Sequence, residues 1–448
     1  MHPLKIAVIG GGSTYTPELI EGFLAPELPV REIALMDPDG QRLEIVGGLA
    51  ARMTAAAGGP FRLTLTGDRG EALEGADAVI TQLRVGGQAA RILDERIPLG
   101  YGVVGQETTG PGGFAKALRT IPVILDINRE MAARCPDAWL VNFTNPSGLI
   151  TEALQRCGRG QFVGLCNYPL TLKMNAAKAL NADESRVSLA YFGLNHLSWA
   201  RVLVDGADRT DELIEIMITD PAHRELSGFA FAPDRLRALG LIPSGYLRYY
   251  YETERMVREL REASQTRGEK VRDVEARLLA CYADPSACAK PPELQQRGGA
   301  WYSTAAVRLI RDLWRDGGSM HVLNVKNDGA LPFLSPEVVV ETPVHVAGGR
   351  LTPQPVIAMR DAGAFIGEYR VPEEMVALIR RVKDYEVLAA RAAEHASRAD
   401  ALQALYAHPL LDGHHDIVPA LLDDLLNAHR AYLSPDLWEG EAPAEPRS

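Results

Sequence analysis

Cysteine is scarce in this chain, and the sequence contains no long hydrophobic run. The 448 residues include five cysteines, an odd number, and none of them forms a Cys-x-x-Cys pair. Five cysteines are too few for a disulfide scaffold of this length, so we expect reduced thiols and a cytoplasmic location. Every apolar stretch is shorter than the roughly 18 residues that cross a bilayer. We therefore expect no membrane-spanning segment.

Positive charge is also in deficit. The chain has 47 Lys and Arg residues against 58 Asp and Glu residues, which gives a formal net charge of −11. An acidic surface repels nucleic acids and anionic lipids, so we expect neither as a partner. An anionic metabolite would need a pocket of locally positive charge. The other proportions, 46% hydrophobic and 23% charged residues, are ordinary for a globular protein and exclude collagen-like and wholly disordered classes.

Short apolar runs alternate with helical stretches over the first part of the chain. The runs are residues 5–9, 32–36, 62–65, 78–81, 139–142 and 162–165. This alternation is typical of β-α-β units and predicts an α/β domain with a Rossmann-like, doubly wound parallel sheet over residues 1–195. The pattern then changes, and we predict a mixed α+β catalytic domain over 196–435. The Pro- and Glu-rich residues 436–448 are predicted to be a disordered tail.

A glycine-rich turn follows the first apolar run. Residues 10–15 read Gly-Gly-Gly-Ser-Thr-Tyr, so Tyr15 replaces the third glycine of the dinucleotide fingerprint. Glycines at such a turn let the backbone approach a pyrophosphate at a helix N-terminus. Asp37 ends the next run, where a carboxylate can bond ribose hydroxyls and repel a 2′-phosphate, although it could also be a plain turn residue. The pattern favours NAD over NADP, bound by Gly10, Gly11, Gly12, Ser13, Thr14 and Asp37.

Four further segments gather polar residues at the ends of apolar runs, where open α/β sheets place their ligands. They are residues 105–110 (Gly-Gln-Glu-Thr-Thr-Gly), 142–147, 164–169 and 193–198. Cys166 and His196 could meet at one divalent ion and leave room for a substrate to complete its coordination. A buried cysteine and a hydrogen-bonded structural histidine would explain the same two residues, and spacing alone favours that interpretation.

These motifs together closely resemble the NAD- and manganese-dependent family 4 glycoside hydrolases, and among them the 6-phospho-β-glucosidase branch. The similar segments follow one order along nearly the whole chain: residues 9–19, 105–110, 142–148, 166–167, 193–196, 246–250 and 327–329. The resemblance implies a sheet like that of the lactate and malate dehydrogenases. It also implies a mechanism that departs from glycoside hydrolysis by two carboxylates.

In this family NAD+ takes a hydride from C3 of the sugar, a base removes the acidified C2 proton, and the C1 substituent leaves by elimination. Water adds to the unsaturated product and the hydride returns, so NAD is not consumed. The resemblance therefore implies hydrolysis of 6-phospho-β-glucosides with NAD and Mn2+ or another divalent metal. We expect a small-molecule substrate, and assembly as a homodimer or homotetramer.

The resemblance also implies roles for individual residues. Cys166 and His196 match the metal ligands, and Tyr246 matches the base that takes the C2 proton. A tyrosine with an ordinary pKa of about 10 needs a cation or hydrogen bonds to act at neutral pH, and the metal and Arg248 are candidates. Packing of Tyr246 with neighbouring tyrosines is the alternative. The residues that match substrate-binding positions are Asn145 and Asn167 for the sugar, and Arg91 and Arg297 for the 6-phosphate, with Arg84 as a further candidate.

Two positions bear on the substrate. Tyr168 stands where the β-branch usually has Val or Ile, so it could narrow the pocket or change the aglycone preference. Asn167 stands where the α-branch has an Asp, which favours β-glycosides. Two alternative functions stay open: an NAD-dependent glycosidase for unphosphorylated or α-linked glycosides, and an NAD-dependent 2-hydroxy-acid dehydrogenase. The dehydrogenase would form NADH and would not require a metal.

Overall fold

The computed structural model describes residues 2–25, 28–297, 301–360 and 363–438. Its α-helices are α1 Thr16–Leu24, α2 Gly40–Ala56, α3 Arg69–Leu73, α4 Gly87–Gly100, α5 Gly110–Arg134, α6 Ser147–Cys157, α7 Tyr168–Ala179, α8 Thr210–Thr219, α9 Pro233–Leu239, α10 Arg248–Tyr251, α11 Thr253–Glu262, α12 Arg267–Ala283, α13 Tyr302–Trp314, α14 Glu373–His395, α15 Arg398–Ala407 and α16 Val418–Ala428. Its strands are β1 Leu4–Ile9, β2 Val30–Met36, β3 Arg62–Thr66, β4 Ala78–Thr81, β5 Trp139–Asn142, β6 Gln161–Gly164, β7 Val187–Leu194, β8 Leu197–Val204, β9 Ala207–Asp208, β10 Ile242–Pro243, β11 Ser319–Lys326, β12 Val339–Ala347, β13 Arg350–Pro353, β14 Ala358–Arg360, β15 Gly363–Ile366 and β16 Tyr369–Val371.

The first six strands form the parallel part of the largest sheet, in the order β3-β2-β1-β4-β5-β6. All five neighbouring pairs are parallel. Helices cover both faces of such a sheet, so its inner strands read as continuous apolar runs, and every residue of β1 is buried. The six apolar runs of the sequence are these six strands, with ends within two residues of those predicted. The predicted fold class is confirmed, and its strand order is that of dinucleotide-binding folds.

Three antiparallel strands from late in the chain extend the same sheet. β11 pairs with β6, β12 with β11, and β13 with β12. The predicted boundary at residue 195 falls inside the hairpin of β7 and β8, which belongs to a second, smaller sheet. The regions 1–195 and 196–435 therefore share the largest sheet, and the division of the chain into two domains stays a prediction.

Residues 436 and 437, at the start of the predicted tail, are folded. Residues Pro435–Leu437 form a 3-10 helix, and Leu437 is buried in the main hydrophobic core. An apolar side chain with this burial stabilises the fold, which is why the segment does not behave as the Pro- and Glu-rich composition predicts. Residues 439–448 of the predicted tail lie outside the described residues. Within the described ranges, no helix has both the length and the apolarity needed to cross a membrane.

A buried ammonium group ties the sheet to the helices on one of its faces. Lys383 Nζ on α14 lies 3.0 Å from Glu152 Oε2 on α6 and 2.5 Å from Glu386 Oε2 on its own helix. The same Glu152 oxygen accepts a hydrogen bond of 2.8 Å from the backbone nitrogen of Val339 on β12. Buried charges are tolerated only when they are paired, so this cluster fixes α6 and α14 against β12.

Replacement of Lys383 by Met should leave two buried carboxylates without their cation. We expect Lys383→Met to lower the free energy of unfolding by about 3–5 kcal/mol, measured by urea denaturation. Lys178→Met is the matched control, because Lys178 is exposed, and it should change the stability by less than about 0.5 kcal/mol. Equal stability of the two variants would show that the buried carboxylates do not need the ammonium group.

Candidate active site

The carboxyl ends of the parallel strands open into one large cavity of about 1490 Å³. Its wall includes the turn after β1, Asp37 after β2, Asn145 after β5, and Cys166 and Asn167 after β6. Because parallel strands end at the same edge of a sheet, side chains that are far apart in sequence meet there. Tyr246 and Arg297, which come from later in the chain, also line this cavity.

The glycine turn lies directly against Asp37. Gly10 has a φ of +93°, and a Cβ at that position would come within 3.0 Å of the backbone of Gln82. Asp37 Oδ2 accepts a 2.9 Å hydrogen bond from the backbone nitrogen of Gly12. Burial raises the pKa of Asp37 above its ordinary value. A carboxylate beside a glycine turn at the start of α1 fits a dinucleotide ribose.

The residues predicted to bind the cofactor do not all face the cavity. Gly10, Ser13 and Asp37 line it. Thr14 is fully buried, and its Oγ1 lies 3.4 Å from Glu275 Oε1. The side chain of Thr14 therefore stabilises the turn from the side that faces away from the cavity. A Cβ at Gly11 would lie 2.8 Å from the side chain of Leu35, so that glycine allows the turn to pack on β2.

Cys166 and His196 meet although thirty residues separate them. Cys166 follows β6, and His196 is the second residue of the two-residue turn between β7 and β8, with a left-handed φ of 64° that non-glycine residues seldom adopt. The distance from Cys166 Sγ to His196 Nε2 is 3.8 Å. Two tetrahedral ligands at about 2.3 Å (sulfur) and 2.1 Å (nitrogen) from one ion lie about 3.6 Å apart. The pair therefore fits two ligands of one divalent metal.

In the part of the chain that the structure describes, Cys166 and His196 have no third partner of the same ligand types. Within the described residues, no group of three or more His, Cys, Asp and Glu side chains is arranged to hold a metal. Burial lowers the pKa of His196 to about 3, so its imidazole is neutral and able to ligate. Burial raises the pKa of the Cys166 thiol to about 12. The thiol thus keeps its proton at neutral pH until a metal displaces it.

Tyr246 stacks on the imidazole ring of His196, with the ring centroids 3.7 Å apart and the ring planes at 8°. Burial, followed by the charges of Cys166 and Glu107, raises the pKa of Tyr246 above its ordinary value. The charge of Arg248 offsets only part of this rise, and its guanidinium donates a 2.9 Å hydrogen bond to the hydroxyl of Tyr249. The phenol of Tyr246 therefore needs a bound cation to lose its proton at neutral pH.

Glu107 was not identified as a site residue from the sequence, although its motif was. Its carboxylate forms an ion pair with Arg84 and lies 3.1 Å from Arg91 Nη1 and 2.7 Å from Lys116 Nζ. Burial alone would raise the pKa of Glu107, but these cations hold it well below its ordinary value. Burial, together with the nearby Arg84, lowers the pKa of Lys116 to about 7. No sequence spacing reveals this cluster, because its members come from two loops and the two helices α4 and α5, and only the fold brings their charges together.

Several buried polar atoms in the cavity wall have no hydrogen-bond partner among the described residues. Arg297 Nη1 and Asn145 Oδ1 are the two that belong to residues predicted to bind the substrate. The rest of the Arg297 guanidinium donates two hydrogen bonds to Glu275 Oε1, at 3.0 and 2.6 Å, and lies 3.8 Å from the ring centroid of Tyr15. An unsatisfied buried donor or acceptor costs about 1–3 kcal/mol. These two atoms therefore mark places where a ligand can bind.

The residues that line the cavity include more cations than carboxylates. The cations are Arg42, Arg69, Arg84, Arg91, Lys116, Arg248, Arg267, Lys270 and Arg297, and the carboxylates are Asp37, Asp39, Asp68, Glu95, Glu107, Glu130 and Glu275. Nine cations against seven carboxylates leave a formal charge of +2, opposite in sign to the net charge of the chain. The cavity is therefore suited to a dianionic group such as a phosphate monoester.

Replacement of Glu107 by Gln should remove the charge that three cations share. We expect Glu107→Gln to lower the free energy of unfolding by about 3–5 kcal/mol in urea denaturation. Inorganic phosphate should raise the melting temperature of this variant more than that of the wild type, because the anion replaces the lost charge. The exposed Glu262→Gln is the control. An equal effect of phosphate on the variant and the wild type would contradict an anion site at this cluster.

Comparison with known proteins gives consistent results over nearly the whole chain. The sequence model for the family 4 glycosyl hydrolases matches residues 5–182, and that for the C-terminal domain of the family matches residues 191–411. A probable 6-phospho-beta-glucosidase from Bacillus subtilis is 45% identical over 443 residues, which are 96% of this chain and 97% of that protein.

Solved structures agree with this match. The structure of 6-phospho-beta glucosidase from Thermotoga maritima with manganese, NAD+ and glucose-6-phosphate has a TM-score of 0.85 and 35% identity, and the alignment covers 96% of this chain and 99% of that one. A malate dehydrogenase from Cryptosporidium parvum has a TM-score of 0.52 at 13% identity, covering 87% of this chain and 100% of the other. The latter similarity concerns the fold alone.

Proposed function

Because this chain belongs to the family 4 glycosyl hydrolases, we propose that it hydrolyses 6-phospho-β-glucosides with the help of NAD and a divalent metal, Mn2+ first among the candidates. The observation that carries the proposal is the single cavity, which joins the glycine turn and Asp37, Cys166 and Tyr246, and an excess of cations. The two similar proteins named above as 6-phospho-beta-glucosidases support the choice of substrate.

The excess of cations provides a site for the 6-phosphate. Arg91 and Arg297 are the proposed ligands, and the free Nη1 of Arg297 is available to donate to a phosphate oxygen. Arg84 and Lys116 join them, because both share the Glu107 carboxylate with Arg91. A phosphate dianion also favours the charged form of Lys116, whose pKa of about 7 leaves it partly neutral in the free protein.

The sugar hydroxyls have separate partners. Asn145 Oδ1 is unpaired and can accept a hydrogen bond from a hydroxyl, while Asn167 lines the cavity beside Cys166. Asn167 also supports a β-linked substrate, since the α-branch of the family has an Asp at this position. Tyr168 packs edge-on to Tyr246, with ring centroids 6.4 Å apart, and we propose that it narrows the cavity near the reacting carbons.

The cofactor and the metal would take positions set by residues of the chain. Asp37 and the turn of residues 10–13 would hold NAD, which when bound accepts a hydride from C3 and later returns it. Cys166 and His196 would hold the metal, which when bound acts as a Lewis acid toward the oxygens of C2 and C3. Tyr246 would remove the proton from C2 through its phenolic oxygen. Its stacking on His196 supports this role, because the phenol would then lie next to the metal ligands.

Each of the two alternative functions leaves one feature of the site unexplained. A 2-hydroxy-acid dehydrogenase has no use for the Cys166 and His196 pair, and the similarity to malate dehydrogenase is limited to the fold. An unphosphorylated substrate has no use for the two excess positive charges. We further propose that the protein acts in the reducing cytoplasm, where Cys166 stays a free thiol, as a homodimer or homotetramer.

Hydrolysis of an aryl β-glucoside 6-phosphate tests the proposal. We expect release of the aryl group without net formation of NADH, loss of activity after removal of both metal and NAD, and recovery when Mn2+ and NAD+ are added together. The unphosphorylated β-glucoside and the α-linked phosphate serve as matched substrates. Activity that persists after both groups are removed would sink the mechanism, and a preference for either matched substrate would reject the substrate assignment.

Tyr246→Phe tests the role of the base. We expect kcat to fall by about 10²–10⁴-fold, because the ring keeps its stacking on His196 but loses the oxygen that accepts the proton. Exchange of the C2 proton of glucose 6-phosphate with deuterated solvent should stop, while Mn2+ binding is retained. Tyr250→Phe, a neighbouring buried tyrosine outside the cavity, is the control. Unchanged exchange in Tyr246→Phe would assign the base to another residue.

A further inference from the structure

The loop of residues 105–110 contains a hydrogen-bonded residue, Thr108, that has no role in the reaction proposed above. Thr108 lies between Gln106 and His196. Its backbone nitrogen is 2.6 Å and its Oγ1 is 2.9 Å from Gln106 Oε1, and the same Oγ1 is 3.0 Å from His196 Nδ1. Three residues thus form a continuous chain of hydrogen bonds that ends at the histidine ring.

The direction of each hydrogen bond in this chain follows from its first member. A backbone N–H can only donate, so the atom of Gln106 that faces Thr108 must be the carbonyl oxygen. The hydroxyl of Thr108 has a single hydrogen, which it donates to that same oxygen. Its lone pair must then accept from His196 Nδ1–H. The other ring nitrogen, Nε2, therefore carries the lone pair, and it is this atom that lies 3.8 Å from Cys166 Sγ.

The loop that carries Thr108 is held rigidly in place. A Cβ at Gly112 would come within 2.4 Å of the backbone oxygens of Asp94 and Gln106, and a Cβ at Gly113 within 2.6 Å of the carbonyl carbon of Thr108. The first turn of α5 therefore packs directly on the backbone of the loop. Contacts this close prevent the hydroxyl from following a movement of the histidine ring.

We propose that Thr108 is a positioning residue for the metal site, which holds His196 in the tautomer and ring orientation that present Nε2 to the ion beside Cys166. The inference rests on the proposed function, in which Cys166 and His196 are the metal ligands. Stacking on Tyr246 fixes the plane of the ring, but a ring rotated by half a turn would stack equally well. The hydrogen bond to Thr108 excludes the rotated ring, because it requires Nδ1 to face the hydroxyl. Hydrogen-bond partners of metal-bound histidines generally fix the ring orientation in this way.

The tautomer can be measured without any metal. In protein labelled with 15N-histidine and freed of metal, long-range 1H–15N NMR should show His196 protonated at Nδ1, with its signals assigned by their loss in His196→Gln. Thr108→Val removes the acceptor and keeps the shape of the side chain, so the proton should redistribute toward Nε2. Thr108→Ser retains a hydroxyl and should restore the wild-type tautomer.

Metal affinity gives the second readout. We expect Thr108→Val to bind Mn2+ about 10–100-fold more weakly, from the electron paramagnetic resonance signal of free Mn2+. Thr108→Ser should recover most of the loss. Thr109→Val is the matched control, because Thr109 is the next residue, and its buried side chain makes no capping hydrogen bond at the start of α5. Gln106→Met removes the oxygen that orients the hydroxyl of Thr108, so it should weaken Mn2+ binding by a smaller factor. This variant also tests the inference if Thr108→Val does not fold.

The outcomes separate this inference from the proposed function. Protonation of wild-type His196 at Nε2, or wild-type Mn2+ affinity in both Thr108→Val and Gln106→Met, would overturn the role of Thr108. A wild-type protein that does not bind Mn2+, but whose His196 carries its proton at Nδ1 and loses it there in Thr108→Val, would overturn the proposed metal site and leave the tautomer assignment supported.

Discussion

The site depends on the pairing of one buried carboxylate, Glu107, with three cations. Like charges at this distance repel strongly where little water is present, so Arg84, Arg91 and Lys116 can share one region only because Glu107 lies among them. The next residue, Thr108, bonds to His196. Two adjacent residues of one short loop thus contact both parts of the site: Glu107 pairs with the cations, and Thr108 bonds to His196 next to Cys166.

Burial has a second effect, which is to keep the reactive groups inactive in the free protein. It raises the pKa of Cys166 to about 12 and raises that of Tyr246 as well, so both hold their protons at neutral pH. A divalent cation next to them would favour both charged forms. The excess of positive charge around Glu107 instead favours an anion. The cavity is therefore complementary in charge to ligands of both signs, as the proposed function requires.

Much of the fold and part of the site follow from the sequence. Apolar runs separated by helical stretches predicted the six parallel strands, and the rule that ligands bind at carboxyl ends brought Asp37, Asn145 and Cys166 to one edge. The Cys166 and His196 pair needed the resemblance to the family, because two isolated residues carry little information. The pairing of Glu107 with Lys116 was not predicted, because two charged residues nine positions apart do not show that both are buried at one point. The boundary at residue 195 divides a hairpin for a similar reason: β11, β12 and β13 return to the first sheet from more than a hundred residues away.

The sequence by itself determined the parallel sheet, the glycine turn with its acidic partner, and the family to which the chain belongs. These features are local or follow one order along the chain, so periodicity and motifs reveal them. Only the tertiary structure decided which cations share Glu107, that the guanidinium of Arg248 bonds to Tyr249, and which nitrogen of His196 faces Cys166. These properties depend on the distances between side-chain atoms and on the exclusion of water, and both are set by packing in the folded chain, even where the residues are close in sequence.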